Sequence, residues 1–154
     1  MKKAIFILIS FVFIFTGYML VKNDGASGEY SPTFDLSGKG LKTVPTEIFS
    51  RNDLKELDLS HNQISGSLTS EINKLKNLEV LDISSNQMTG VPAEIGQLSN
   101  LKILDLSFNL ISGLPHELGN LKNLKELYIN GNDYSEYDLE IIKQGLPTNV
   151  NIIK

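Results

Sequence analysis

Cysteine is absent from this chain of 154 residues. It therefore has no disulfide framework, no cysteine-held metal site, no thiol nucleophile and no lipobox for acylation. Basic charge is also scarce. Lys and Arg total 14 against 18 Asp and Glu, a formal net charge of −4, and the basic residues are scattered. That argues against nucleic acid as a partner and against a polybasic membrane patch. The glycines mark turns, and none builds a phosphate-binding loop. No nucleophile elbow or oxyanion loop is present either. What remains is ordinary in amount: 41% hydrophobic residues and enough length for one modest domain with a real core.

The information lies in how those residues repeat. Residues 78–100 read LEVLDISSNQMTGVPAEIGQLSN, and residues 101–123 read LKILDLSFNLISGLPHELGNLKN. The two lines superpose at an offset of 23 residues, pairing Leu81 with Leu104, Asn86 with Asn109 and Pro92 with Pro115. Self-similarity at such a period signals a solenoid. An earlier unit, 54–77, is one residue longer and has no proline near Thr69. The first unit starts near Ser31, carries Phe34, Leu36, Leu41, Val44-Pro45 and Ile48, and has Lys39 where later units have asparagine. A fifth begins at Leu124 and then departs from the pattern. Ser135 with Asp138 resembles a capping box, and Tyr134 with Leu139 a hydrophobic staple. Gly145 and Pro147 offer a stop. A helix over residues 136–144 and a last short strand over 150–153 are predicted to close the array.

Ahead of the repeats, residues 1–21 (MKKAIFILISFVFIFTGYMLV) place Lys2 and Lys3 before an apolar run. This reads as an export segment, either a cleaved signal peptide or an uncleaved transmembrane anchor. At about 1.5 Å per residue the run makes a helix near the thickness of a bilayer core. That length leans toward the anchor, and the best small-residue cleavage site, Ala26-Ser27-Gly28, is imperfect. Residues 22–30 (KNDGASGEY) form a polar tether of about 17 Å mean span. The domain is then 31–154, with 135–154 as its C-terminal cap. The resulting protein is exported: membrane-anchored with the repeat domain outside the cytoplasm, or secreted.

Within each unit, L-x-x-L-x-L alternates apolar and polar residues, the mark of a half-buried strand. One strand per unit, always in one direction, stacks into a parallel sheet. The P-x-E-I-x-x-L segment returns the chain as a short helix or 3₁₀ turn. The fold class is α/β, a short curved solenoid with the sheet on its concave face, the turns on its convex face and a capping helix at the end. Asn62, Asn86, Asn109 and Asn132 fall where the chain leaves the strand, placed to bond backbone groups of adjacent turns.

The pattern L-x-x-L-x-L-x-x-N-x-I/L-x-x-L/V-P-x-E-I/L resembles the leucine-rich repeat family over about residues 31–134. The 23-residue form with its internal L-P is similar to repeats of scaffold proteins and of bacterial secreted proteins. Ile64-Ser65-Gly66 and Ile111-Ser112-Gly113 resemble the plant receptor type. The resemblance implies a curved scaffold that binds protein or another ligand, without catalysis and without a cofactor. Lys39 and the missing proline depart from the family pattern, and no cysteine-stapled cap is present.

Two columns on the concave face are candidates for binding. Asp35, Asp58, Asp82 and Asp105 share one strand position, continued by Tyr128, and form a carboxylate ladder suited to a cation or a basic peptide. Ser37, Ser60, Ser84 and Ser107 stand ready to satisfy those carboxylates, which would make the ladder plain repeat grammar. Neighbouring charges about 5 Å apart repel by about 3 kcal/mol at an effective dielectric of 20. In the second column Val80 and Ile103 lie side by side, flanked by Glu56 and Glu126, with Phe108 and Tyr128 close by. Exposed apolar and aromatic side chains ringed by charge suit a binding centre, although β-branched residues also simply favour strands. His61 directly follows Ser60 beside the Asp column, an adjacency no catalytic triad uses. His61 and His116 are both read as surface residues. Five strands at about 4.8 Å give a face of roughly 400 Å², half of the ~800 Å² per partner of a standard interface. The function expected is a non-catalytic interaction module for a protein, peptide or glycan. The alternative is surface organisation by self-association through an exposed first strand near residues 34–37.

Overall fold

The computed structural model describes residues 32–154. The export segment 1–21 and the tether 22–30 lie outside the described residues. Each unit contributes one short strand to the main sheet because that strand's central residue must be buried while its two neighbours face outward. The strands are β1 (Thr33–Asp35), β2 (Glu56–Asp58), β3 (Ser65–Ser67), β4 (Val80–Asp82), β5 (Gln87–Gly90), β6 (Ile103–Asp105), β7 (Glu126–Tyr128) and β8 (Asn151–Ile153). Six of them form one parallel sheet in the order β1-β2-β4-β6-β7-β8. The register aligns Phe34, Leu57, Leu81, Leu104, Leu127 and Ile152 in one row beneath the sheet. From Leu57 to Leu127 that row is at most 1% exposed. Burial of each such leucine stabilises the fold by about 1.5–3 kcal/mol.

The return path is a 3₁₀ turn in each of the first four units: Thr46–Ser50, Ser70–Lys74, Ala93–Gln97 and His116–Asn120. Pro45, Pro92 and Pro115 hold the residue before the turn in the extended region, a conformation that proline's fixed φ favours. The second unit, which has no proline, uses Thr69 instead; its hydroxyl accepts the Glu71 N–H at 3.3 Å. The last unit replaces the 3₁₀ turn with α1 (Glu136–Gly145). Ser135 caps α1 by accepting from the Asp138 N–H. The Asp138 carboxylate, the other half of the expected box, turns instead to His116 at 3.2 Å.

Three features differ from the sequence reading. Gly145 does not adopt a left-handed stop: it is the last residue of α1, and the extended Leu146 caps the helix. Its lack of a side chain serves a close approach, since a Cβ there would lie 2.6 Å from the Gly119 carbonyl oxygen. The sheet holds six strands rather than five, because β8 pairs with β7 in the same register as the repeats. A second, two-stranded parallel sheet joins β3 to β5, with a register irregularity at Gly66/Ser67. The left-handed φ of +77° at Gly66 accommodates it. Among the described residues no helix is long and apolar enough to cross a membrane.

Candidate functional site

The outward positions of the large sheet fall into the two expected columns. One runs Thr33, Glu56, Val80, Ile103, Glu126, Asn151 and the other Asp35, Asp58, Asp82, Asp105, Tyr128, Ile153. Val80 and Ile103 are therefore neighbours with a glutamate on each side, as the repeat offset predicted. Both are half-buried, as are Asp58, Asp82, Asp105, Glu126 and Tyr128; Glu56 is exposed. A shallow depression of about 250 Å³ lies over the first half of this face, lined by Thr33, Asp35, Glu56, Asp58, Val80 and Asp82.

The aspartate column has a structural task in addition to its charge. Each carboxylate accepts the N–H of the serine two residues on: Ser37 to Asp35 at 2.9 Å, Ser60 to Asp58 at 2.8 Å, Ser84 to Asp82 at 2.9 Å and Ser107 to Asp105 at 2.8 Å. These bonds tighten the turn that ends each strand. The charge still carries a cost at the centre of the ladder. Burial pushes the Asp82 carboxyl above its ordinary 3.8, the Ser84 hydrogen bonds pull it back, and repulsion from Asp105 and Asp58 adds to the rise. Tyr128 follows the aspartates in the column, donating its hydroxyl to Glu126 at 2.5 Å, and that bond raises its pKa. Among the described residues no group of three or more acidic or histidine side chains is arranged to hold a metal ion.

Phe108 is not on the strands. It sits in the turn after β6 with φ +52°, alongside His61 (+54°), Ser85 (+53°), Gly38 (+63°) and Gly131 (+72°) at the corresponding places of other units. The backbone needs a left-handed residue there because the N–H continues the ladder to the next unit. His61 donates to the Ser84 carbonyl, Ser85 to that of Ser107 and Phe108 to that of Asn130. The Phe108 ring lies over Gly131, where a Cβ would come within 2.7 Å of it. The side chain is 60% exposed. His61 and His116 are both on the surface.

The asparagines after the strands behave as read. Asn86 donates to the Leu59, Ile83 and Ser84 carbonyls and accepts from the Ile64 N–H. Asn62 and Asn109 repeat the pattern one unit away on either side, and no buried side-chain polar atom among the described residues lacks a partner.

Sequence reasoning missed two things. Asn77, Asn100 and Asn123, which end their units, donate to the carbonyls of Asn52, Lys76 and Ser99 one unit earlier, a second asparagine ladder. Leu110, 62% exposed, is the other omission. Reading down its column would have found it, because its counterparts are Gln63, Gln87 and Asp133.

Residues 33–144 match the family described as a leucine-rich repeat region. Among solved structures, a leucine-rich repeat protein of Leptospira interrogans is 40% identical with a TM-score of 0.68, covering 73% of this chain and 28% of that one. The leucine-rich repeat ectodomain of the receptor kinase SOBIR1 from Arabidopsis thaliana is 33% identical with a TM-score of 0.64, covering 78% of this chain and 65% of that one. The plant peptide hormone receptor RGFR1, solved in complex with RGF2, is 30% identical with a TM-score of 0.62, covering 73% of this chain and 22% of that one. The chain spans only 2% to 12% of the length of the curated relatives it matches.

Proposed function

The chain belongs to the leucine-rich repeat family, and from that premise we propose that it is a non-catalytic interaction module whose concave face binds a protein, peptide or glycan. The observation that carries this reading is the Val80–Ile103 pair, left partly open at the middle of the sheet between Glu56 and Glu126. Apolar groups ringed by charge suit the centre of an interface. Asp58, Asp82, Asp105, Phe108 and Tyr128 complete the proposed site. The peptide-bound plant receptor and the receptor ectodomain of similar fold support a role in recognition.

Panning a displayed peptide library against the chain tests this. Enriched peptides should bind the native protein and lose binding to Ile103→Glu, while that variant keeps its urea midpoint. Leu104→Ala, one residue away but fully buried, should cost about 2–5 kcal/mol of stability instead. Enrichment indifferent to Ile103→Glu would refute the concave site. The alternative is self-association through β1, the first strand in the sheet order among the described residues. Sedimentation across a hundredfold concentration range separates it, a constant monomer mass counting against it.

The proposal extends to location. The Lys2-Lys3 start and the apolar run of residues 1–21 make the protein exported, anchored or secreted. Fractionation of expressing cells with intact mass distinguishes the two. A full-length product in membranes means an anchor, and a product starting near residue 29 outside the cell means secretion. Retention in the cytoplasm would refute both.

A further inference from the structure

The trailing edge of the sheet, where the strands end, differs chemically from the leading edge. Lys55, Lys102 and Lys125 stand just before β2, β6 and β7, and Glu79 bridges Lys55 and Lys102 there. Beyond the strand starts, residues 103–121 contain neither Lys nor Arg, and nor do residues 126–142. Parallel strands in register add these asymmetries, so the trailing edge of the fourth and fifth units presents Asp105 and Asp133 without a cation of their own segments.

One apolar feature interrupts this acidic edge. Phe108 and Leu110, on either side of the buried Asn109, are 60% and 62% exposed. The fold does not call for them. The same two places hold His61 and Gln63 in the second unit, Ser85 and Gln87 in the third, and Gly131 and Asp133 in the fifth. Phe108 follows Asp105 by three residues, in the turn that ends β6. We propose that the Phe108–Leu110 step docks a cationic peptide segment in extended form, with an aliphatic or aromatic side chain seated on the step and Lys or Arg beside it facing Asp105 and Asp133. Charge complementarity selects this occupant: Lys or Arg beside the seated side chain would be attracted to Asp105 and Asp133, whereas an acidic segment would be repelled by them. The inference rests on the proposed concave binding surface and moves the apolar anchor from Ile103 to the rim.

The test replaces both residues with their third-unit counterparts, Phe108→Ser and Leu110→Gln; Ser85 already holds the left-handed φ that Phe108 has. The probe is a fluorescein-labelled peptide of lysines flanking one leucine and one phenylalanine. Matched controls carry glutamates for the lysines, or glycines for the two apolar residues. Anisotropy should show binding of the first probe alone, weakening as salt screens it, and at least about a tenfold loss with the double variant. An unchanged urea midpoint shows that the variant is folded. Equal binding of the acidic control, no binding of any probe, or full affinity in the double variant would each overturn the proposal. Loss with Ile103→Glu but not with the double variant would overturn the rim anchor while leaving the concave reading standing. If the native chain instead dimerises and the double variant does not, the occupant is a second copy and the cationic peptide is excluded.

Discussion

At the scale of single residues, the repeat positions divide into those the backbone consumes and those it leaves over. Asn86 is consumed: its amide satisfies three carbonyls and its oxygen one N–H. Asn86→Ala should therefore cost about 3 kcal/mol or more, from several polar groups stranded in the core, read as a fall in urea midpoint. Asp82 is consumed in part. Its hydrogen bond to Ser84 is structural, but its charge is a burden, because burial and its aspartate neighbours hold its pKa above the ordinary 3.8. The protonated form is thus favoured in the folded state. The stability this contributes is complete below pH 3.8 and lost as pH rises through the folded pKa. Asp82→Asn keeps the acceptor and removes the charge. It should gain about 0.5 kcal/mol at pH 7, a figure discounted for solvent screening, and the gain should vanish when both proteins are unfolded near the ordinary carboxylate pKa.

At the scale of elements, the convex turns pack without room for growth. Gly96 in the turn Ala93–Gln97 approaches the next turn so closely that a Cβ would lie 2.2 Å from the Glu117 carbonyl oxygen. Gly113 has nothing within 4 Å. Gly96→Ala should cost about 1–3 kcal/mol by forcing two turns apart, and Gly113→Ala should be nearly neutral. Paired thermal melts check both, and equal effects would mean that the stacking of the turns is misplaced. These glycines look alike in the sequence, since glycine's lack of a side chain is needed only where a neighbouring unit comes close. The strands were legible because alternation is a local property. The pairing of β3 with β5 was not, because it depends on how two distant irregular segments lie side by side.

At the scale of the whole molecule, each unit buries its leucines only against its neighbours, so the ends carry the exposure. Leu139 and Ile142 of α1 are fully buried and cover the last unit, and Lys122 ties α1 to the stack by donating to the Gly119 and Gly145 carbonyls at 3.0 and 2.5 Å. A chain ending at residue 134 would bare that surface. It should be less stable by several kcal/mol, roughly 3 or more, and prone to associate, as gel filtration and urea unfolding would show.

By itself the sequence determined the repeat, its period, the direction of the large sheet's strands, the central residues of both concave columns and the capping helix. Each of these follows from apolar spacing and short-range capping chemistry, which act within one unit. Only the tertiary structure decided which outward residues the fold spends and which it leaves free. The aspartates turned out to be committed to their turns, Phe108 moved from the face to the rim, and Leu110 emerged beside it. Stacking in register sums small charge differences between units into a basic leading edge and an acidic trailing edge, and no single unit contains that sum.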